Sequence, residues 1–147
     1  YPHSSITTDK RVMEGSEVKS VSQSRPLFGQ AAHVANLSLL FKSANHGWEG
    51  QLAGSYTGKR LSDISNWFDD DIWEAGYAQL DASVEKSFKN GISIYAKASN
   101  LLDVPLTRFI QKGPHTDSVD SERVNGNVIE RKEWRGRSLM IGIRYKL

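Results

Sequence analysis

Apolar and polar residues alternate with a period of two over much of the chain. This is the pattern of strands whose two faces meet different surroundings. The run from Tyr77 to Phe88 is the clearest. Ala78, Leu80, Ala82, Val84, Lys86 and Phe88 fall on one face, and Tyr77, Gln79, Asp81, Ser83, Glu85 and Ser87 on the other. After Lys89-Asn90-Gly91, the residues Ile92, Ile94, Ala96 and Ala98 alternate with Ser93, Tyr95, Lys97 and Ser99. Asn-Gly between two such runs predicts a hairpin with a type I′ turn, in which both central residues take positive φ. Alternation recurs over His33–Lys42, Trp48–Thr57 and Arg137–Leu147. Five strands of about ten residues or more are expected, the length that crosses a bilayer (~9–11 residues).

The connections between these runs differ in length. Ser43–Gly47 and Lys89–Gly91 are short, whereas Arg60–Gly76 and Asp103–Gly136 are long and polar. Asp9–Gln30 reads as a third long loop, and Tyr1–Thr8 as the end of a sixth strand. Short turns at one end and long loops at the other are the arrangement of outer-membrane barrels, with the turns facing the periplasm. Phe41, Trp48, Phe88 and Tyr145 then form an aromatic girdle at the periplasmic end, with Tyr56 toward the outer end. Lys86 and Arg137, the charges on the apolar face, fall near the two rims, where a long side chain reaches water. The small residues Gly50, Gly54, Ala78, Ala82, Ala96 and Ala98 pack a protein core poorly but cost little against lipid.

Composition alone suggests a soluble domain. The chain has 147 residues, 38% of them hydrophobic, and 19 Lys+Arg against 17 Asp+Glu give a net charge of +2. Mean hydropathy is -0.50. Alternation changes the meaning of that average, because a transmembrane β-barrel is apolar on one face and polar on the other. No apolar run approaches the ~20 residues of a spanning helix. The absence of cysteine excludes disulfides, thiolate nucleophiles and Cys-ligated zinc. Without a Lys/Arg block, no nucleic-acid partner is expected. Five or six strands are too few to close a membrane barrel, which needs about eight. Tyr1-Pro2-His3-Ser4-Ser5 shows neither the basic nor the apolar region of a signal peptide, so a C-terminal piece of a larger barrel is expected.

Four stretches carry a resemblance. They are Arg25-Pro26-Leu27-Phe28-Gly29-Gln30 followed by Val34-Ala35-Asn36-Leu37, then Tyr56-Thr57-Gly58-Lys59-Arg60-Leu61, then Leu80-Asp81-Ala82-Ser83 followed by Asn100-Leu101-Leu102-Asp103, and finally Gly136-Arg137-Ser138 through Gly142-Ile143-Arg144-Tyr145-Lys146-Leu147. In order and spacing they resemble the C-terminal end of TonB-dependent outer-membrane receptors of the Bacteroidetes style, over about residues 25–147. The resemblance implies an all-β fold: the last five to six strands of an antiparallel transmembrane β-barrel of 22 strands, with the plug domain absent from residues 1–147. It implies a place in the outer membrane of a Gram-negative bacterium. It further implies import of a scarce nutrient, whether siderophore, haem, cobalamin, glycan or peptide, without a cofactor. The implied partners are outer-membrane lipid, the plug and remaining strands of the same receptor, the TonB system and the barrel-assembly machinery. A surface lipoprotein partner is also admitted. Gly142, Tyr145 and Leu147 resemble the C-terminal signal read by that machinery, although its usual last residue is Phe.

Candidate ligand contacts lie in the long connections. Trp67, Phe68, Asp69, Asp70, Asp71 and Trp73 combine aromatic platforms with carboxylates, which suit stacking on a ligand or, for the three carboxylates, calcium. The plainer reading is a loop packed on its neighbours. Arg108, Phe109, Gln111 and His115, with the hairpin-like Asn125-Gly126-Asn127, form a second set, in which Arg beside Phe suits an anion. Its plainer reading is a loop capping the barrel mouth. Glu49, Asp81, Glu85, Lys97 and Arg144 are expected to face the lumen and the plug. His3, His33, His46 and His115 share no ligand spacing, so no metal site is expected. Gly54 to Arg60 departs from a phosphate-binding loop in spacing and in lacking Ser/Thr after the Lys. No nucleophile–base pair can be assembled, and an enzyme is not expected. Two other readings stand beside the receptor: a soluble antiparallel sheet that binds a ligand of carbohydrate type, and a non-transporting outer-membrane barrel.

Overall fold

A computed structural model of the chain describes residues 4–111, 123–124 and 127–146. Among these residues there are twelve strands and no helix. The chain divides into two units. The first comprises Tyr1–His33, Gly58–Gly76 and Leu106–Glu133, and the second Val34–Thr57, Tyr77–Pro105 and Trp134–Leu147.

The second unit is built from the alternating runs. Its strands are β3 (Val34–Ser43), β4 (Trp48–Thr57), β7 (Tyr77–Ser87), β8 (Ile92–Ser99) and β12 (Ser138–Tyr145). They form one antiparallel sheet in the order β12-β8-β7-β4-β3. Each of its four ladders runs without a register shift. Because side chains alternate with a period of two, an unbroken register keeps every apolar set on the same face. Leu39, Leu52, Ala82, Ala98 and Leu139 form one cross-strand row, and Phe41, Gly50, Val84, Ala96 and Ile141 the next. Ser38, Ala53, Asp81, Ser99 and Ser138 lie on different strands in positions of the opposite parity, on the other face. β8 and β12 have 8 residues each, fewer than expected. Asn100, at φ 57, turns the backbone out of the β region directly after β8.

The two short turns are present, but the second differs in type. Gly91 has φ 81, whereas Asn90 does not take positive φ. Phe88 N–H donates to the Ile92 carbonyl at 2.8 Å and Gly91 N–H to the Phe88 carbonyl at 3.3 Å. The loop therefore has three residues with glycine in the left-handed position, the second common hairpin solution, rather than a type I′ turn. Gly47 ends the other turn at φ 64.

The largest correction concerns the long connections, which the sequence pattern assigned to loops. In the first unit, β1 (Ser5–Glu14) and β2 (Glu17–Pro26) form a hairpin where Asp9–Gln30 read as a loop. Arg60–Gly76 contains β5 (Arg60–Asp63) and β6 (Ile72–Glu74). Asp103–Gly136 contains β9 (Leu106–Ile110), β10 (Arg123–Val124) and β11 (Asn127–Glu133). These five form a second antiparallel sheet, in the order β10-β11-β9-β6-β5. Val124 is paired with Asn127 and Arg123 with Val128; Asn125 and Gly126 lie outside the described residues. The neighbour order β11-β9-β6-β5 repeats β12-β8-β7-β4 of the other sheet. In the chain, β4 leads into β5, β6 into β7, β8 into β9 and β11 into β12. The pattern hid these strands because they are short, as β5, β6, β9 and β10 are, or carry no sustained period-two contrast, as in β1, β2 and β11.

Among the described residues, Leu61 is the one buried hydrophobic side chain, at 0% exposure, and the other buried side chains are charged: Lys10, Asp71 and Glu74. Glycine at the short-turn end is required by contact as well as by conformation. A Cβ on Gly47 would lie 2.3 Å from the Ser87 carbonyl oxygen, whereas one on Gly136, at φ 76, would meet nothing within 4 Å. Gly136→Ala is expected to lose only the left-handed backbone preference, about 1–2 kcal/mol. Gly47→Ala is expected to lose more, about 2–4 kcal/mol, because rigid backbone must also move. Urea unfolding of the two variants measures the difference, and equal midpoints would contradict the contact argument.

Candidate functional site

The Trp67–Trp73 stretch is drawn onto the β1–β2 hairpin by backbone pairing. Arg11 N–H donates to the Asn66 carbonyl and Phe68 N–H to the Arg11 carbonyl, each at 2.9 Å. Arg11 and Trp67 form a parallel bridge. The side chains add an ion pair: Lys10 donates to Asp71 Oδ1, with both groups buried. The same carboxylate oxygen accepts the Ser65 N–H at 2.9 Å. Asp69 takes φ 57, a conformation Asp tolerates, and its Oδ1 accepts Gln23 Nε2 at 2.8 Å. Asp69 and Asp71 are thus committed to protein partners. Among the described residues no group of three or more acidic or histidine side chains is arranged to hold a metal ion.

Trp73, Arg108 and Phe109, expected on loops, lie on strands. Trp73 on β6 and Phe109 on β9 are direct cross-strand partners, and Glu74 is opposite Arg108. The Lys59 ammonium lies 4.2 Å from the Trp73 ring centroid and 5.3 Å from that of Phe109. It donates to Gln111 Oε1 at 2.7 Å. Burial against these groups lowers the Lys59 pKa below the usual lysine value, since desolvation disfavours the charge. Buried Glu74 is paired with Arg60 at 2.7 Å. His115 lies outside the described residues, as do His3 and Leu147.

A cavity of about 340 Å³ opens beside these groups, lined by Gln23, Arg25, Asp69, Asp71, Trp73 and Gln111 among others. Its volume is at the lower end of the range of small-molecule pockets. Gln23 Oε1 and Arg25 Nε are buried without a hydrogen-bond partner. The sequence reading named Asp69, Asp71 and Trp73 in one loop and Gln111 in the other, but missed Gln23 and Arg25 as site residues. Gln23 and Arg25 are two apart on β2 and share a face, a signal that becomes visible only once that segment is recognised as a strand.

The residues expected to face a lumen lie on the polar face of the second unit and are largely paired. Glu49 and Glu85 are directly opposite each other, like charges that each find a cation. Lys42 pairs with Glu49, and Arg144 reaches Glu85 at 3.5 Å. Lys97 is in register between Ser83 and Met140. Asp81 has a different role: its Oδ1 accepts the Asn100 N–H at 2.8 Å. Asn100 Nδ2 donates to the Gly136 carbonyl at 2.7 Å, and Gly136 N–H to Asp103 Oδ1 at 3.1 Å. The Leu80-Asp81, Asn100–Asp103 and Gly136 motifs thus meet in one knot that ends β8 and starts β12. Gly142 lies under the Tyr95 ring: a Cβ there would be 2.4 Å from Tyr95 Cζ. Tyr95 is its cross-strand partner, and the Arg144 guanidinium lies 5.7 Å from the Tyr95 ring. Nothing in the sequence pattern singles out Tyr95.

The buried Lys10–Asp71 pair is expected to be strongly asymmetric to mutation. Lys10→Ala leaves a buried carboxylate without its cation and is expected to destabilise the first unit by about 3–5 kcal/mol. Lys10→Met combined with Asp71→Leu is expected to recover part of this, because no buried charge is stranded. Denaturant titration followed by limited proteolysis around Asn66 checks the order of stabilities.

Comparison with models of known protein families, with curated proteins and with solved structures yields no match to this chain.

Proposed function

We propose that this chain is the C-terminal part of a nutrient-importing outer-membrane receptor of the TonB-dependent kind, with the second unit as barrel wall and the first unit toward the ligand. One observation carries the reading: a continuous apolar face that runs across five registered strands and stays uncovered. Leu37 is 69% exposed, Leu139 71%, Ile141 69% and Ile143 73%. A face of this extent demands a cover. Lipid is the cover that suits it, since its centre is rich in Ala and Gly, which present little to a packed protein layer.

The short-turn end supports the same reading. Lys86 donates to the His46 carbonyl and lies 5.0 Å from the Trp48 ring centroid and 5.7 Å from that of Phe88. An amphipathic cation among aromatic rings at one end of an apolar face is the composition of a membrane interface. The edges β3 and β12 have no strand partner beyond the sheet among the described residues. In hydrocarbon an open edge costs several kcal/mol per unpaired group. The reading therefore requires the plug-bearing remainder of a barrel, or further copies, to pair with them. Transport and TonB coupling are parts of the proposal that follow from the resemblance over about residues 25–147, which also admits a partner lipoprotein.

Arginine substitution separates lipid from water. In a bilayer, Leu52→Arg in the middle row is expected to cost about 2–4 kcal/mol, and Ile143→Arg in the row of Trp48 and Lys86 about 0–1 kcal/mol. On a water-exposed sheet both substitutions are nearly neutral. Because the chain has no cysteine, single cysteines can be labelled cleanly. A fluorophore on Leu52→Cys or Ile141→Cys should be quenched by brominated lipid, and one on Gln51→Cys or Met140→Cys should not. Equal quenching at neighbouring positions, or a chain that stays in the aqueous phase on detergent partition, would favour the soluble binding module.

A further inference from the structure

The β1–β2 hairpin is joined to the rest of the first unit by polar contacts. On one of its faces, alternate residues from Ser5 to Met13 and from Val18 to Ser24 are all exposed. The other face carries Thr8, Lys10, Gln23 and Arg25, with Thr8 directly opposite Gln23. It is held by the Lys10–Asp71 ion pair and by the Gln23 bond to Asp69, while the Arg11 backbone pairs with Asn66 and Phe68 along the edge of β1. No hydrophobic side chain of the hairpin is buried, and Ile6 and Val21, on the held face, stay 40% and 39% exposed. A buried ion pair adds little net stability, because desolvation offsets the attraction. A two-stranded hairpin by itself is marginally stable at best.

Docking also leaves groups stranded. Thr8 Oγ1, Gln23 Oε1 and Arg25 Nε are each buried without a hydrogen-bond partner, and all three belong to the held face. Among the described residues the one other such atom is Glu74 Oε1, which has Arg60 beside it at 2.7 Å. An unpaired buried polar atom opposes the arrangement that buries it. The hairpin also supplies half of the cavity wall, through Gln23 to Pro26, with Asp69, Asp71, Trp73 and Gln111 on the other side. Residues 27–30, which lead out of β2, form a turn in which Gly29 has φ 73 and open space around its Cβ position.

We infer that the β1–β2 hairpin is a hinged flap over this cavity, latched by Lys10 and Asp71, sprung by the unpaired polar atoms of Thr8, Gln23 and Arg25, and turning about residues 27–30. Lifting the flap gives those three atoms water. It also turns the cavity into a cleft whose remaining wall is Asp69, Asp71, Trp73 and Gln111, so the hairpin governs access to them. The inference goes beyond the receptor reading and stands whether or not the second unit lies in a bilayer.

The test uses the full chain in detergent micelles. Because the chain has no cysteine, Thr8→Cys places a single thiol on the covered face, where a maleimide reaches it only while the hairpin is lifted. When reclosing outpaces labelling, the labelling rate relative to a free thiol gives the population of the lifted state. Hydrogen exchange at Leu106–Ile110, on β9, gives the open population of the unit as a whole. The lifted population is expected to exceed that of β9 opening by at least tenfold. In the Thr8→Cys background, Arg25→Met removes one stranded donor and is expected to slow labelling about tenfold. Lys10→Ala cuts the latch and is expected to speed it by about tenfold or more. Lys19→Gln, near the tip of the hairpin, is expected to leave it unchanged. The flap is overturned if Thr8→Cys is labelled no more readily than β9 opens, if Arg25→Met is labelled as fast as the Thr8→Cys parent or faster, or if Lys10→Ala does not speed labelling.

Discussion

Antiparallel backbone hydrogen bonding in unbroken register is the constraint on which the second unit depends. Four successive ladders hold five strands without a bulge. A slip of one residue in any ladder would turn that strand's apolar set to the polar face. The two contrasting faces, the aromatic cluster around Lys86 and the paired charges opposite them all follow from that alignment. Register in turn is pinned at the strand ends. Gly47 and Gly91 admit close backbone approach at the short turns, where Ser87 N–H reaches the Gly47 carbonyl at 2.8 Å and Lys146 N–H the Gly91 carbonyl at 2.9 Å. Asp81, Asn100, Asp103 and Gly136 tie the opposite end.

The first unit is held by different forces. Its buried side chains are mostly ionic, and its segments meet through backbone bonds, the Lys10–Asp71 pair and the Arg60–Glu74 pair. Polar interiors of this kind stabilise little in net terms, but they discriminate strongly between arrangements, because a stranded charge is costly. Specificity of this sort positions a ligand cavity well. The groups around the cavity owe their places to partners that lie outside it, as Asp71 does to Lys10 and Gln111 does to Lys59.

Much of the second unit was legible in the sequence. Val34–Ser43, Trp48–Thr57, Tyr77–Ser87, Ile92–Ser99 and Ser138–Tyr145 all carry the period-two contrast, and the short turns carry glycine. The type of the Asn90-Gly91 turn was not legible. Asn-Gly serves both a two-residue loop and a three-residue loop with glycine last, and the choice depends on which residues the flanking ladder pairs. The strands of the first unit were illegible for a deeper reason. Glu17–Pro26 is mostly polar, and its two valines, Val18 and Val21, are three apart and so fall on opposite faces; both faces look alike and the pattern cannot be told from a loop. The cavity was only partly readable, because Asp69, Asp71, Trp73 and Gln111 lie in stretches that stand out by composition whereas Gln23 and Arg25 matter only by proximity.

The sequence by itself determined that the chain is all-β, which five segments have two unlike faces, and where the short turns lie. Those properties depend on side-chain alternation and on local backbone freedom, and both are written residue by residue. Tertiary structure alone decided that the long connections form strands of their own, that Asp81 accepts the Asn100 N–H where β8 ends, and that a glutamine and an arginine of one hairpin stand beside a tryptophan of another strand. Those outcomes depend on hydrogen bonds between residues far apart in the chain. Polar residues satisfy such bonds equally well with water until the fold chooses their partners.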